Sequence, residues 1–405
     1  MSGIVDEGAR GDARVIRIGA RGDGVTADGR FVPFGVPGDT LSEDGTLVHG
    51  PDHQAPPCRH FPDCGGCQLQ HVADPAYADW AVARIVHALS GAGVTPGEVM
   101  PVHLSPPRSR RRASLRGVKR GGQLVLGFNA EASHRIVDIR ECHVLLPELF
   151  TLIAPLRGLL SAALKDGQGA GVTLTMTTTG IDLLLANVAA TRLPEIERLT
   201  AFADEHDLAR LSVENEGGVE VIAERRTPLV RLGGVDVALP PAAFLQATDD
   251  GEAALVAAVL EATRGARKIA DLFAGLGTFA LPLSNDARVL AADAAGPAML
   301  ALKAAAVGRL LLTEHRDLFR NPLTVAELDR FDALVFDPPR AGAAAQVALL
   351  GASKVPCVVA VSCNPSTFAR DAALLVGGGY RLERLWPVGQ FRWSTHVELV
   401  ARFVR

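Results

Sequence analysis

Three styles of hydrophobic patterning succeed one another along the chain. Residues 13–40 (ARVIRIGARGDGVTADGRFVPFGVPGDT) alternate short apolar runs with glycine-rich turns, which predicts a small β-barrel or meander. The next stretch, GPDHQAPPCRHFPDCGGCQ, is rich in Pro and Cys and too irregular for helix or strand. Residues 74–93 can form a helix. From 110 to 240, strand-like runs (RASLRGV, QLVLGF, GVTLTMTT, GIDLLLANV) alternate with helical stretches around 147–165 and 193–207, the pattern of an α+β unit.

The third style begins near residue 252. A helical run, EAALVAAVLEAT, precedes KIADLFAGLGTFALPL, RVLAADAAGPAMLALKAAAV, FDALVFDPPRAG and VPCVVAVSCNPSTFARDAALLV. Apolar runs of four to seven residues between helices read as strands buried on both faces. They predict a doubly wound, mostly parallel sheet. The closing YRLERLWPVGQFRWSTHVELVARFV supplies two more strands and a short loop. The fold class is therefore α/β. The expected domains are a small β domain at 1–50, a cysteine-containing segment with a central α+β domain at 51–240, and the doubly wound domain at 241–405.

Composition adds limits. A chain of 405 residues suits two or three domains, and 48% hydrophobic residues can fill their cores. The opening MSGIVDEGARGDARV has no apolar run of signal-peptide type. No run of about 18 apolar residues exists to span a membrane. The expectation is a cytoplasmic protein with no obligate protein partner. Net charge is −4, yet Arg108, Arg110, Arg111, Arg112, Arg116, Lys119, Arg120 and Arg135 cluster against the single acid Glu131 between 101 and 135. Nucleic-acid phosphates need local positive charge rather than a basic whole chain, although a solvated basic face would look the same.

The strand ends carry the chemistry. In DLFAGLGTF, Gly275 and Gly277 let the backbone turn closely under a ligand, and Asp293 ends the next strand about twenty residues later, where an acid can accept from ribose hydroxyls. The dinucleotide pattern G-x-G-x-x-G is incomplete, which favours an adenosylmethionine site over NAD. Asp337 opens DPPR, whose prolines end the strand and project the acid at the sheet edge where ligands bind. Cys363, in SCNPST, leaves its strand at the entry to a helix. A strand-end cysteine is often a small buried hydrophobe, as expected for Cys357. A helix N-terminus, however, would lower the thiol pKa and favour the nucleophilic thiolate. Such a thiolate could add to uracil C6 and activate C5 for methylation; Glu398, in THVELV, is the candidate base that then removes the C5 proton. Cys58, Cys64, Cys67 and the distant Cys142 have the look of a four-thiolate site, for zinc or an iron–sulfur cluster alike.

Taken together, DLFAGLGTF (271–279), FDPPR (336–340), SCNPST (362–367) and HVE (396–398) resemble the family of RNA 5-methyluridine methyltransferases (TrmA, RlmC and RlmD type) over almost the whole chain. The resemblance implies a class I methyltransferase domain of Rossmann type. It makes Cys363 the nucleophile and Glu398 the base. Contacts to S-adenosyl-L-methionine fall on Gln246, Phe273, Thr278, Asp293, Asp317 and Asp337. The family's F-x-Q-x-N reads here as Phe244, Leu245, Gln246, Ala247, Thr248. The cysteine spacing is similar to that of the ribosomal-RNA branch, which implies a [4Fe–4S] cluster on Cys58, Cys64, Cys67 and Cys142 and RNA, in particular 23S rRNA, as substrate. Residues 12–50 resemble a shortened TRAM domain, and the Arg-rich strand at 108–120 is assigned to RNA phosphates. Two other functions stay open: an exocyclic-amine methyltransferase using DPPR, and a non-catalytic iron–sulfur RNA-binding protein.

Overall fold

Residues 13–405 are described by a computed structural model; the first twelve residues of the expected β domain lie outside the described residues. Val15 and Ile18 face inward from strand Ala13–Ile18. This strand is the centre of a five-stranded antiparallel sheet in the order Phe31–Val32, Gly24–Thr26, Ala13–Ile18, Thr40–Leu41, Leu47–Val48. The outer two strands each pair on one side only, so the sheet is curled but open.

The central unit is a seven-stranded sheet built from Arg112–Arg120 through Gly218–Glu224. All its pairs are antiparallel except Gly180–Ala186 with Arg210–Asn215, which helix Leu193–Glu205 connects. Leu156 and Leu160 of helix Ile153–Ala163 pack with Leu199 and Phe202 against Leu115, Leu126, Leu174 and Leu183 of the sheet. The helix expected at 147–165 is two helices, Pro147–Thr151 and Ile153–Ala163. Pro155 explains the break, since it has no N–H to offer the carbonyl four residues back.

The last unit is a nine-stranded sheet. Its parallel part runs Leu311–His315, Arg288–Asp293, Lys268–Leu272, Ala333–Phe336, Cys357–Ser362; Glu398–Val404 and Arg381–Gly389 follow as an antiparallel pair, and two short strands lie beyond them. Period-2 alternation divides its core between two faces. Ala270, Leu272, Leu334, Phe336, Val358 and Ala360 point to one face, and Ile269, Ala333, Val335, Val359 and Val361 to the other. Both faces are covered by helices, which is why these strands read as unbroken apolar runs.

One cover was assigned by sequence to the middle of the chain. Tyr77, Trp80, Ile85 and Leu89 of helix Asp74–Gly91 pack on the first of these faces, and Glu98–Val99 and His103–Leu104 pair in parallel with Arg381–Gly389. Residues 74–104 thus go with the C-terminal sheet, outside the 51–240 grouping. Among the described residues no helix is long and apolar enough to cross a membrane.

Candidate active site

The order of the parallel strands reverses at Lys268–Leu272, and ligands of open α/β sheets bind beyond the carboxyl ends of strands at such a point. The loop there needs its glycines. Gly277 has φ +92°, and a Cβ on it would lie 2.4 Å from Leu302 Cδ1. Gly275 N–H donates to Asp293 Oδ2 at 2.9 Å and Ala295 N–H to Oδ1 at 2.7 Å. Asp293 therefore ties the glycine loop to its own turn, with further lone pairs left to accept from a ligand. Phe273 holds a left-handed backbone at φ +62°. Its ring stands 5.3 Å from that of the exposed Phe319, an aromatic that sequence reasoning missed. Asp317, two residues before it, accepts the N–H groups of Phe319 and Arg320 at 3.0 and 3.2 Å. Phe273, Thr278, Asp293 and Asp317 are thus set at the carboxyl ends of three adjacent strands or on the loops that follow them.

Acids converge at the neighbouring strand ends. Asp271 is fully buried, and neither oxygen makes a well-formed hydrogen bond; only the nearby Ala280 amide favours its charge. Burial, with Asp337 and Asp293 adding repulsion, raises it well above the usual carboxylate range. Asp337 keeps some accessible surface, but protein surrounds its carboxyl closely enough for burial to push it up to about 7. Glu398 is 5% exposed, and burial followed by the Asp337 charge raises it to about 8.

Cys363 is half-buried beside these acids. Desolvation, then Glu398 and Asp337, push its thiol up to about 11, with Arg340 pulling the other way. This corrects the expectation of a thiol activated by a helix N-terminus. The N-cap of helix Pro365–Gly377 is Asn364, whose side chain accepts the Ser366 N–H at 3.1 Å. Cys363 stands one residue outside the cap, where burial first, and then the two carboxylates, oppose the thiolate. Cys357 is also half-buried, with its thiol 3.5 Å from the Ala262 carbonyl.

Two polar links brace this edge. Arg340 donates to the His396 ring at 2.8 Å, while its carbonyl accepts from Asn364 Nδ2 and Thr367 Oγ1, both at 3.1 Å. The DPPR loop is thereby tied to the SCNPST turn and to the HVE strand. Burial and the surrounding arginines lower His396 to about 4, so it accepts as a neutral ring. Gln246 is buried, and its Oε1 accepts from Gln390 Nε2 at 2.7 Å.

The basic segment divides. Arg111 is buried; it donates to Glu252 Oε2 at 2.8 Å and to the Gln246 carbonyl at 3.1 Å, and pairs with Asp249. Lys119 donates to the Ser161 and Leu164 carbonyls at 2.6 and 3.2 Å, closing helix Ile153–Ala163. These two are structural, which corrects their assignment to RNA phosphates. Arg108, Arg116, Arg120 and Arg135 are exposed.

Cys58, Cys64, Cys67 and Cys142 do meet, lining one pocket with His60, Phe61, Phe128 and His143. Burial raises all four thiols, Cys67 to about 12, and Cys142 opposes the ionisation of each of the other three. Among the described residues, however, no group of three or more His, Cys, Asp or Glu side chains is set to hold a metal ion.

No family model matches the chain. It is 47% identical over 394 residues, covering 97% of this chain and 99% of the relative, to an uncharacterized RNA methyltransferase of Zymomonas mobilis. It is 34% identical over 365 residues, covering 87% and 82%, to the 23S rRNA (uracil(1939)-C(5))-methyltransferase RlmD of Shewanella amazonensis. The fold matches the crystal structure of Pyrococcus abyssi tRNA (uracil-54, C5)-methyltransferase in complex with S-adenosyl-L-homocysteine, with a TM-score of 0.76 at 24% identity, covering 97% and 100%. The protein is an adenosylmethionine-dependent RNA methyltransferase and belongs to the RNA uracil-C5 methyltransferase family.

Proposed function

We propose that this enzyme methylates C5 of a uridine in large-subunit ribosomal RNA through a covalent bond between Cys363 and C6. The observation that carries the reading is a register: Ser362 pairs with Leu399, so Cys363 and Glu398, the next residue on each strand, stand side by side at the carboxyl edge of the sheet, where Asp337 also ends its strand. When bound, adenosylmethionine supplies an electrophilic methyl group on a positively charged sulfur. Phe273, Thr278, Asp293, Asp317, Asp337 and Gln246 are the residues proposed to hold it. Neighbouring acids cannot all ionise cheaply, and a positive charge brought among them lowers each one. The buried, unpartnered Asp271 fits a site built for a cation.

Cys363 Sγ, once deprotonated, bonds C6 and moves electron density onto C5, which takes the methyl group. C5 then carries both a methyl group and its original proton. Glu398 as carboxylate removes that proton, and the C5 electrons restore the double bond as sulfur leaves C6. Exposed Arg108, Arg116 and Arg120 are proposed to meet RNA phosphates. The 23S rRNA assignment draws support from the RlmD relative. Mapping 5-methyluridine in ribosomal and transfer RNA from cells lacking this gene tests it. Loss of a 23S site is expected; loss from transfer RNA alone would contradict it.

We also propose that Cys58, Cys64, Cys67 and Cys142 hold a [4Fe–4S] cluster. The support is four thiols on one pocket. A four-iron cube takes four thiolates and is larger than a single ion, so its ligands stand farther apart than those of a mononuclear site. Protein purified anaerobically should be brown and contain about four irons. Colourless protein containing zinc would overturn the assignment.

A further inference from the structure

Gln390 has no part in the reaction as written, yet its side chain is committed on every side. It follows strand Arg381–Gly389 and opens the loop that returns to Glu398. It is 2% exposed. Its Oε1 accepts the Ala247 N–H at 2.9 Å and its Nε2 donates to Gln246 Oε1 at 2.7 Å; the strand it follows pairs Val388 with Glu398, which brings the amide to the side of the Glu398 carboxyl, whose charge it favours. Helix Asp249–Ala262 leaves room for it at one position: a Cβ on Gly251 would lie 2.6 Å from Gln390 Cβ.

The amide cannot turn over. A backbone N–H only donates, so the atom facing Ala247 is the oxygen. Nitrogen then faces Gln246, whose oxygen must accept, and the Gln246 nitrogen is left with no protein partner among the bonds described. We propose that Gln390 is a positioning residue. Its single buried amide fixes Gln246 with a free N–H₂ and holds the Glu398 carboxyl in place to take the C5 proton. This rests on the covalent uridine reading above. It follows that the ligand atom met by Gln246 Nε2 is an acceptor, a carbonyl or carboxylate oxygen rather than an amino group.

Glu398 is faced by Asp337 and Arg340 from the loop after Ala333–Phe336, and by Cys363 from the end of Cys357–Ser362. Gln390 is the neutral donor in this set and favours the carboxylate. Losing it leaves Glu398 harder to ionise, so proton removal should require higher pH.

The test uses Gln390→Glu and Gln390→Leu in the full-length protein. Glu keeps the size of the side chain and the bond to Ala247 but puts an oxygen where the N–H₂ stood. Leu offers neither donor nor acceptor. Two measurements separate the steps. Trapping on a 5-fluorouridine transcript of large-subunit ribosomal RNA reads bond formation by Cys363 without proton removal. Tritium release from the same transcript made with [5-³H]uridine reads proton removal. Both variants should still trap. Tritium release should fall about tenfold to a hundredfold, as when a carboxylate loses a polar neighbour that favours its charge. The rising limb of its pH profile should move upward, furthest in Gln390→Glu.

Wild-type release and an unmoved profile in either folded variant would overturn the proposal. So would trapping that falls in step with release, which would make Gln390 merely structural. If Gln390→Leu does not fold, Gln390→Glu decides alone. Wild-type protein that methylates the RNA but traps no adduct would sink the covalent reading itself, and the proposal with it.

Discussion

Two sets of buried carboxylates are treated differently. Asp182 in the central sheet and Glu252 on helix Asp249–Ala262 each have a guanidinium. Asp182 stands opposite Arg210 in the parallel register, and the pair is bidentate at 2.9 Å on both oxygens. Glu252 is held by Arg111 at 2.8 Å. Burial raises both acids, but the arginine pulls each back. At the carboxyl edge of the large sheet, Asp271 and Glu398 are as deeply buried, and among the described residues no arginine pairs with either. Arg340 acts on Glu398 only through its field, while its guanidinium bonds His396. Unpaired buried charge costs stability, and clustered, strongly perturbed acids in a cleft mark chemistry. Paired acids hold the fold; unpaired ones are held by it.

The largest expected effect breaks the edge at its sulfur. Cys363→Ala should reduce methyl transfer by about 10⁴-fold or more, measured with tritiated donor. An exocyclic-amine methyltransferase would keep its rate. Next, Glu398→Gln should lower turnover about 10²- to 10⁴-fold and accumulate a covalent adduct with ordinary RNA, visible as a shifted band on a denaturing gel. Free turnover by that variant would remove Glu398 from its role.

The paired region should respond in stability instead. Arg210→Met strands Asp182 and should cost about 3–5 kcal/mol in denaturant unfolding of the central domain. Asp271→Asn removes a repelled charge and should cost no such amount; an equal loss in both would erase the distinction. The last effect is on pH. Asp337 and Glu398 lie at about 7 and about 8 in the folded protein, against roughly 4 in an unfolded chain. Between those limits the folded state binds more protons than the unfolded one, so stability falls as pH rises from about 4 to about 8. Thermal melts of an Asp337→Asn, Glu398→Gln double variant should show a flatter slope across that window.

What the sequence disclosed follows from topology. DLFAGLGTF, DPPR and SCNPST end strands of a doubly wound sheet, and that fold brings such ends to one edge whatever their separation in sequence. The four cysteines were legible from residue type and spacing. Other features had no local signal. Glu98–Val99 and His103–Leu104 are two-residue strands, too short to show a period, so their pairing with Arg381–Gly389 was hidden. Arg111 and Arg112 look alike in sequence, but only the fold places Glu252 and Asp249 beside the first. Cys363 obeyed a tertiary rule over a local one: burial, and then carboxylates from distant strands, raise its thiol. Gln390 lies in no motif, and its role depends on meeting Gln246 from 144 residues away.

The central claim is that the Cys363 sulfur bonds the target base. Peptide mass spectrometry after incubation with adenosylmethionine and 5-fluorouridine ribosomal RNA tests it most directly. The account predicts a methylated fluorouridine attached to the peptide containing Cys363 and to no other. Product formed on ordinary RNA with no attachment there, or attachment at Cys357, would contradict it.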